Sequence, residues 1–295
     1  MKRFSKVFVM FIIFVGLIVI LSCSNQVQDI SSDITYDFSS DGEPIDVIIL
    51  AGQSNATGCC FSEDLREYVS PEDFELFTNG FENQKIIWYL DWSNYSMLSV
   101  YTDLTNVKLG HGFSESAFGP EIGISYVMNK ENKEVVIIKF TSPGSGINTF
   151  VNPEGLNSFF DLFIFNSMKK LNDMGFSPSI KCLCWMQGEY DSTEKKDAQR
   201  YEKREQFLIS KVREKYGNEI VFIDAKVTDW DLVFPLCYQD IVNDAKKSIS
   251  INENNCFMIN SVNLTKKDDD LAHYDAKSEF ELGKRFGEMI ISKCY

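Results

Sequence analysis

The stretch VIILAGQSNATG, residues 47–58, decides the reading of the fold. Val47 to Ala51 form an unbroken apolar run. It stops at Gly52, and Gln53, Ser54 and Asn55 follow. An apolar run this short, closed by a turn residue, is what a parallel strand covered on both faces looks like. Ser54 directly after such a strand fits two roles: it can cap a helix start, or it can be a nucleophile presented at the strand's carboxyl end.

The same pattern recurs along the chain. Further strands are expected at 134–140 (EVVIIKF), 180–187 (IKCLCWMQ), 219–226 (EIVFIDAK) and 256–260 (CFMIN), beside 46–52. Between them lie amphipathic helices at 119–130, 156–175, 195–217 and about 238–249, with a last one from Ala276. In the second, Phe160, Ile164, Met168 and Leu171 make one stripe, and Gly175 stops it. The last places Leu282, Phe286, Met289 and Ile290 on one face. Strands alternating with helices predict an α/β fold: three layers, α/β/α, around a five-stranded, mainly parallel, doubly wound sheet. Ligands meet such sheets at the strands' carboxyl ends. The loops of interest are therefore 52–55, 141–146, 187–191 and the segment before the last helix. Residues 59–118 read as an insertion outside this scheme. Its aromatics, Trp88, Tyr89, Trp92 and Tyr95, either make a sugar-stacking wall or pack over the sheet edge.

A serine nucleophile needs a base, and the chain has two histidines, His111 and His273. Asp270 precedes His273 by three residues, close enough for the carboxylate to fix the ring's tautomer. The competing reading makes the acids at 268–270 a solvated charge run. His111, in GHGFSES, reads as a loop residue. No G-x-S-x-G, phosphate loop, HExxH or CxxC occurs, so neither a nucleophile elbow nor a metal site is expected. Glu189 and Asp191, two apart in one loop, read as turn-holding hydrogen-bond formers rather than a glycosidase pair.

Four ordered blocks, AGQSNATG, FGPE (118–121), WMQGEYD (185–191) and DLAHYD…LGKR (270–285), resemble the SGNH hydrolases, and within them the sialate O-acetylesterase-like carbohydrate esterases. The similarity runs from about Ile45 to Arg285. It implies a Ser54–His273–Asp270 triad and removal of O-acetyl groups from sialic acid or from a glycan such as xylan. It also implies an oxyanion hole from the N–H of Ser54, the N–H of Gly144 and the side-chain amide of Gln187. Relatives carry Gly-Gly-Thr/Ser where this chain has Pro143-Gly144-Ser145-Gly146, so Gly146 is the alternative donor. Gln53, Asn55 and Glu189 become candidate substrate contacts, and no cofactor is implied. Other readings are an SGNH lipase or acyltransferase acting on longer acyl esters, and a non-catalytic glycan-binding surface protein.

The N-terminus carries a basic MKRFSK and a 15-residue apolar run, short of the roughly 20 residues that span a bilayer. Leu21-Ser22-Cys23 then resembles a bacterial lipobox. The expected organisation is a lipoprotein signal peptide over 1–22, a lipidated Cys23 with a polar tether to 44, and an esterase domain over 45–295. This implies a lipid-anchored protein of the bacterial cell envelope. A plain anchor or a cleaved secretory signal is the simpler alternative. The seven remaining cysteines are odd in number and cannot all pair. The chain has 29 basic and 43 acidic residues and a net charge of −14, which argues against a nucleic-acid partner.

Overall fold

A computed structural model describes residues 41–95, 97–228 and 230–295. The expected signal peptide, Cys23 and most of the tether lie outside the described residues. Seven strands form the central sheet: β1 (Glu43–Gly52), β2 (Gln84–Leu90), β3 (Val100–Asn106), β4 (Val135–Thr141), β5 (Phe176–Met186), β6 (Val221–Ala225) and β7 (Cys256–Ile259). Their order is β7-β6-β5-β1-β4-β2-β3. All neighbours are parallel except β2 and β3, which pair antiparallel.

The α/β class and all five expected strands are present, but the sheet has seven strands rather than five. The two additional strands come from the 59–118 segment. That segment carries a sixth parallel strand, β2, alongside β4, and closes the edge with β3. It is part of the sheet rather than an insertion outside it.

β1 is central, and its residues alternate between two cores. Ile48 and Leu50 face one; Val47, Ile49 and Ala51 face the other. This period of two, with both faces apolar, is why the run reads as continuous. After a four-residue helix, α1 (Ser54–Thr57), helices α2 (Pro71–Asn79), α3 (Glu121–Lys130) and α7 (Ala276–Cys294) cover the first face, through Phe74 and Phe77, through Ile122, Ile124 and Met128 and through Leu282, Phe286 and Ile290. Helices α4 (Ser158–Asp173), α5 (Tyr201–Tyr216) and α6 (Gln239–Asn252) cover the second. There Phe140, Phe150, Phe160 and Trp185 interlock edge to face, with Phe150 and Trp185 centred 4.7 Å apart. The helix expected over 195–217 is divided: a short turn at Lys195–Ala198 precedes α5.

The strand register positions the site. Gly52, at the end of β1, pairs with Thr141 at the end of β4 and with Met186 at the end of β5. The three strands end level, so the loops after them emerge side by side at one rim. Strand β8 (Asp270–Tyr274), paired with Lys266–Lys267 outside the main sheet, leads into α7. The Asp275 side chain caps α7, accepting a hydrogen bond from Ser278 N–H at 2.7 Å.

No helix among the described residues is long and apolar enough to cross a membrane. No group of three or more His, Cys, Asp or Glu side chains among them could hold a metal ion.

Candidate functional site

Ser54 opens a four-residue helix, α1 (Ser54–Thr57), immediately after β1. The turn is tight. Gly52 has φ +150°, and a Cβ there would fall 1.9 Å from the Met186 carbonyl oxygen, so only glycine fits. Gln53 is the N-cap, and its side chain makes no capping bond; Ser54 is therefore not the cap. As the first residue of α1, Ser54 keeps a backbone N–H with no intrahelical acceptor.

His273 and Asp270 meet as their spacing predicts. His273 Nδ1 lies 2.6 Å from Asp270 Oδ2, both side chains partly exposed. Burial alone would raise the Asp270 carboxyl. The bond to His273, with the Ala272 N–H and Lys267, outweighs it and holds the group below its ordinary value. In the neutral tautomer that donates Nδ1–H to the carboxylate, Nε2 is the acceptor.

What joins these two elements is Asn55. Its Nδ2 donates to Glu189 Oε1 at 2.8 Å and to the Ala272 carbonyl at 3.3 Å; its Oδ1 accepts from the Tyr274 N–H at 3.4 Å. One buried amide thus holds the backbone on both sides of His273 beside the residue that follows Ser54. Sequence reasoning offered Gln53, Asn55 and Glu189 as substrate contacts. The structure instead buries all three, at 3%, 1% and 1% exposure, and bonds them to protein. Gln53 Oε1 takes N–H bonds from Tyr190 at 3.2 Å and Gly188 at 3.5 Å, fixing the 187–191 loop beneath α1.

Gln187, expected to donate to an oxyanion, is also fully buried. Its Nε2 lies 2.7 Å from Asp191 Oδ2 and 3.1 Å from the Ser145 carbonyl. It also lies 3.3 Å from Gln53 Oε1, while the Gln187 Oε1 accepts from the Tyr201 hydroxyl at 3.0 Å. Asp191 Oδ2 also accepts the Ile147 N–H at 2.8 Å, tying the loop after β4 to the loop after β5. Burial lifts the Asp191 carboxyl above its ordinary value, against the bonds from Gln187 and Ile147. Gly144, the expected backbone donor, sits at φ +64°, and a Cβ there would fall 2.4 Å from the Tyr95 hydroxyl. Gly146 lies against Tyr190 and Asp191. Trp88 and Trp92 are buried and Tyr89 stacks on Phe140, so of the four aromatics it is Tyr95, 54% exposed, that lies against Gly144.

Lys139 escaped sequence reasoning. It lies on the apolar face of β4 that also carries Val135 and Ile137, wholly buried. Its ammonium meets Glu121 Oε2 at 2.6 Å, the His111 carbonyl at 2.7 Å and the Thr57 carbonyl at 2.8 Å. It therefore holds the far end of α1, and the FGPE block acts through Glu121 to hold Lys139. The signal was a single lysine inside EVVIIKF. His111 is buried and stacked edge-on to Trp88; burial, with Lys139 and Lys108, pushes it down to about 4. Cys59, whose Sγ lies 3.6 Å from the Ser54 carbonyl, is pushed up to about 12 by burial, with Glu279 and Asp270 adding. It stays a neutral thiol. All seven cysteines of the described residues are free.

The chain is a carboxylic ester hydrolase. More narrowly, residues 44–292 match the family described as "Carbohydrate esterase, sialic acid-specific acetylesterase", and the chain belongs to it. Among solved structures, a protein of Arabidopsis thaliana is similar at 16% identity and a TM-score of 0.60, over 85% of this chain and 100% of that one. NanS is similar at 14% identity and 0.59, over 86% and 98%. A carbohydrate acetylesterase from Xanthomonas citri is similar at 13% identity and 0.56, over 85% of this chain and 57% of that one. No curated protein sequence matches.

Proposed function

We propose that this chain removes O-acetyl groups from a carbohydrate through a Ser54–His273–Asp270 triad. The observation that carries the reading is the Asn55 clamp, which holds both flanks of His273 beside the Ser54 turn. In the proposed reaction His273 Nε2 takes the hydroxyl proton as Ser54 Oγ attacks the ester carbonyl. Asp270 orients the ring and stabilises the imidazolium. The backbone N–H groups of Ser54 and Gly144 receive the oxyanion, each donor lowering the barrier by about 3 kcal/mol. Gln187 and Asp191 hold the two donor-bearing loops from below. His273 returns the proton to the leaving sugar hydroxyl. Water, activated by the same ring, then releases acetate from the serine.

The test is hydrolysis of a chromogenic acetate ester by the full chain. Ser54→Ala is expected to lower kcat on the order of 10³-fold or more. Turnover that persists in that variant overturns the assignment. The lipobox-like segment ending at Cys23 supports a place at the cell envelope, checked by metabolic labelling with a fatty acid and its loss in Cys23→Ala.

A further inference from the structure

A cavity of about 850 Å³ opens beside the strand that carries the Asp–His pair. Leu271, which stands between Asp270 and His273 in β8, is one of its walls. Phe61, Tyr68 and Leu232 are others, and these four side chains are 44–57% exposed. Apolar side chains gathered around a concave surface of this size are what a ligand site offers. Flat apolar surfaces suit the C–H faces of sugar rings.

The polar part of the lining is one-sided. Asp64, Glu67, Asp268, Asp269 and Asp275 stand against Lys266 and Lys267. Asp275 is engaged as the cap of α7. The other four carboxylates make no ion pair or side-chain hydrogen bond among the described residues. Both lysines are held: Lys266 lies 3.8 Å from the centre of the Tyr274 ring, and Lys267 reaches Asp270 at 3.5 Å and the Cys59 carbonyl at 3.4 Å. Free carboxylates accept strong hydrogen bonds from hydroxyl groups. The same carboxylates repel an anion, on a chain whose net charge is already −14.

We propose that this cavity binds the glycan that flanks the acetylated sugar, and that it selects a neutral, hydroxyl-rich polysaccharide over an anionic sugar such as a sialic acid. The proposal rests on the esterase reading above and names its substrate class. Phe61, Tyr68 and Leu271 carry the sugar rings, and Asp64, Glu67, Asp268 and Asp269 take their hydroxyls.

The experiment compares the full chain on a chromogenic acetate, acetylated xylo-oligosaccharides and an O-acetylated sialic acid. kcat/KM on the neutral oligosaccharide is expected to exceed that on the sialic acid by about tenfold or more. In Phe61→Ala with Tyr68→Ala, the loss on the oligosaccharide is expected to exceed the loss on the chromogenic acetate by about tenfold. Exchanging Asp268 and Asp269 for Lys is expected to shift the ratio toward the sialic acid. Preference for the sialic acid by the unaltered chain, or equal losses on both esters in the aromatic variants, overturns the proposal. A chain inactive on all three esters defeats the triad reading instead. In that event calorimetric titration of the full chain with the neutral and the anionic sugars still decides this one. Binding of the neutral sugar alone, lost in the aromatic variants, upholds the proposal. Binding of the anion as tightly as the neutral sugar, or of neither, overturns it.

Discussion

Replacing Asn55 by Asp exchanges one donor nitrogen for an oxygen at the junction on which the site depends. Asn55 Nδ2 lies 2.8 Å from Glu189 Oε1, and both residues are buried. Two carboxylates at that separation would repel by about 6 kcal/mol at an effective dielectric of 20. Binding a proton between them is cheaper. At pH 7 it costs about 4 kcal/mol, from about 1.4 kcal/mol for each unit between the pH and an ordinary carboxyl value near 4. The variant is therefore expected to be about 4 kcal/mol less stable at pH 7. The sign of its pH dependence follows. The folded pair binds a proton that the unfolded chain releases, so its pKa is raised on folding. The stability tied to that proton is present in acid and is lost as the pH rises. At about pH 5 the deficit should shrink to roughly 1 kcal/mol. Urea unfolding followed by tryptophan fluorescence, at both pH values, measures it. Adding Glu189→Gln restores a donor across the junction and should flatten the dependence. Recovery stays incomplete, because the contact with the Ala272 carbonyl at 3.3 Å is not replaced. A deficit equal at the two pH values, or a double variant no better than the single one, would refute the Asn55–Glu189 bond.

Lys139→Met removes the ammonium that Glu121 meets at 2.6 Å with both side chains fully buried. An uncompensated carboxylate is left, and chemical denaturation should show a loss of about 3–5 kcal/mol. Adding Glu121→Gln should recover most of it; a single variant as stable as the parent would contradict the pair. His111 is held neutral, its value pushed from 6.5 to about 4. The unfolded chain therefore takes up that proton first on acidification. Stability is complete above about pH 6.5 and should fall by about 3 kcal/mol in total toward pH 4. His111→Asn should remove that part of the slope in pH-dependent unfolding, and an unchanged slope would place the acid sensitivity elsewhere.

The five strands were legible because each is a local apolar run, and runs need no partner to be recognised. The other two were not. β2 opens with Gln84 and Lys85, and β3, VYTDLTN, is a partly exposed edge strand with three polar residues among its last four. Nothing local to them says that the chain crosses to that side of the sheet before returning to β4. The site divides in the same way. Asp270 and His273 could be paired from sequence because three residues of chain hold them together. The Asn55–Glu189 bond spans 134 positions, and no local spacing predicts it. The donor role of Gln187 comes from the resemblance, through its place in the WMQGEYD block. Its true acceptors, Asp191 and the Ser145 carbonyl, appear only once the loops are brought together. Two of the four blocks, FGPE and WMQGEYD, thus hold the turn at Ser54 and the loop beneath it through buried bonds.

A helix of four residues cannot hold itself together, since its first turn fixes several dihedrals for very few hydrogen bonds. The place of α1 must therefore come from its surroundings, and the structure shows from where. The Gln53 N–H donates to the Met186 carbonyl at 3.0 Å, on β5. Asn55 is held by Glu189 and by β8. The Thr57 carbonyl accepts from Lys139 at 2.8 Å, on β4. Each attachment is polar and buried, where apolar packing would serve stability as well or better. Hydrogen bonds are directional and apolar contacts are not. Three of them from three different strands leave the helix one orientation, and with it the Cα–Cβ bond of Ser54. The position of Ser54 is thus set by the ends of β4, β5 and β8 together, and each of those strands contributes a residue far from Ser54 in sequence.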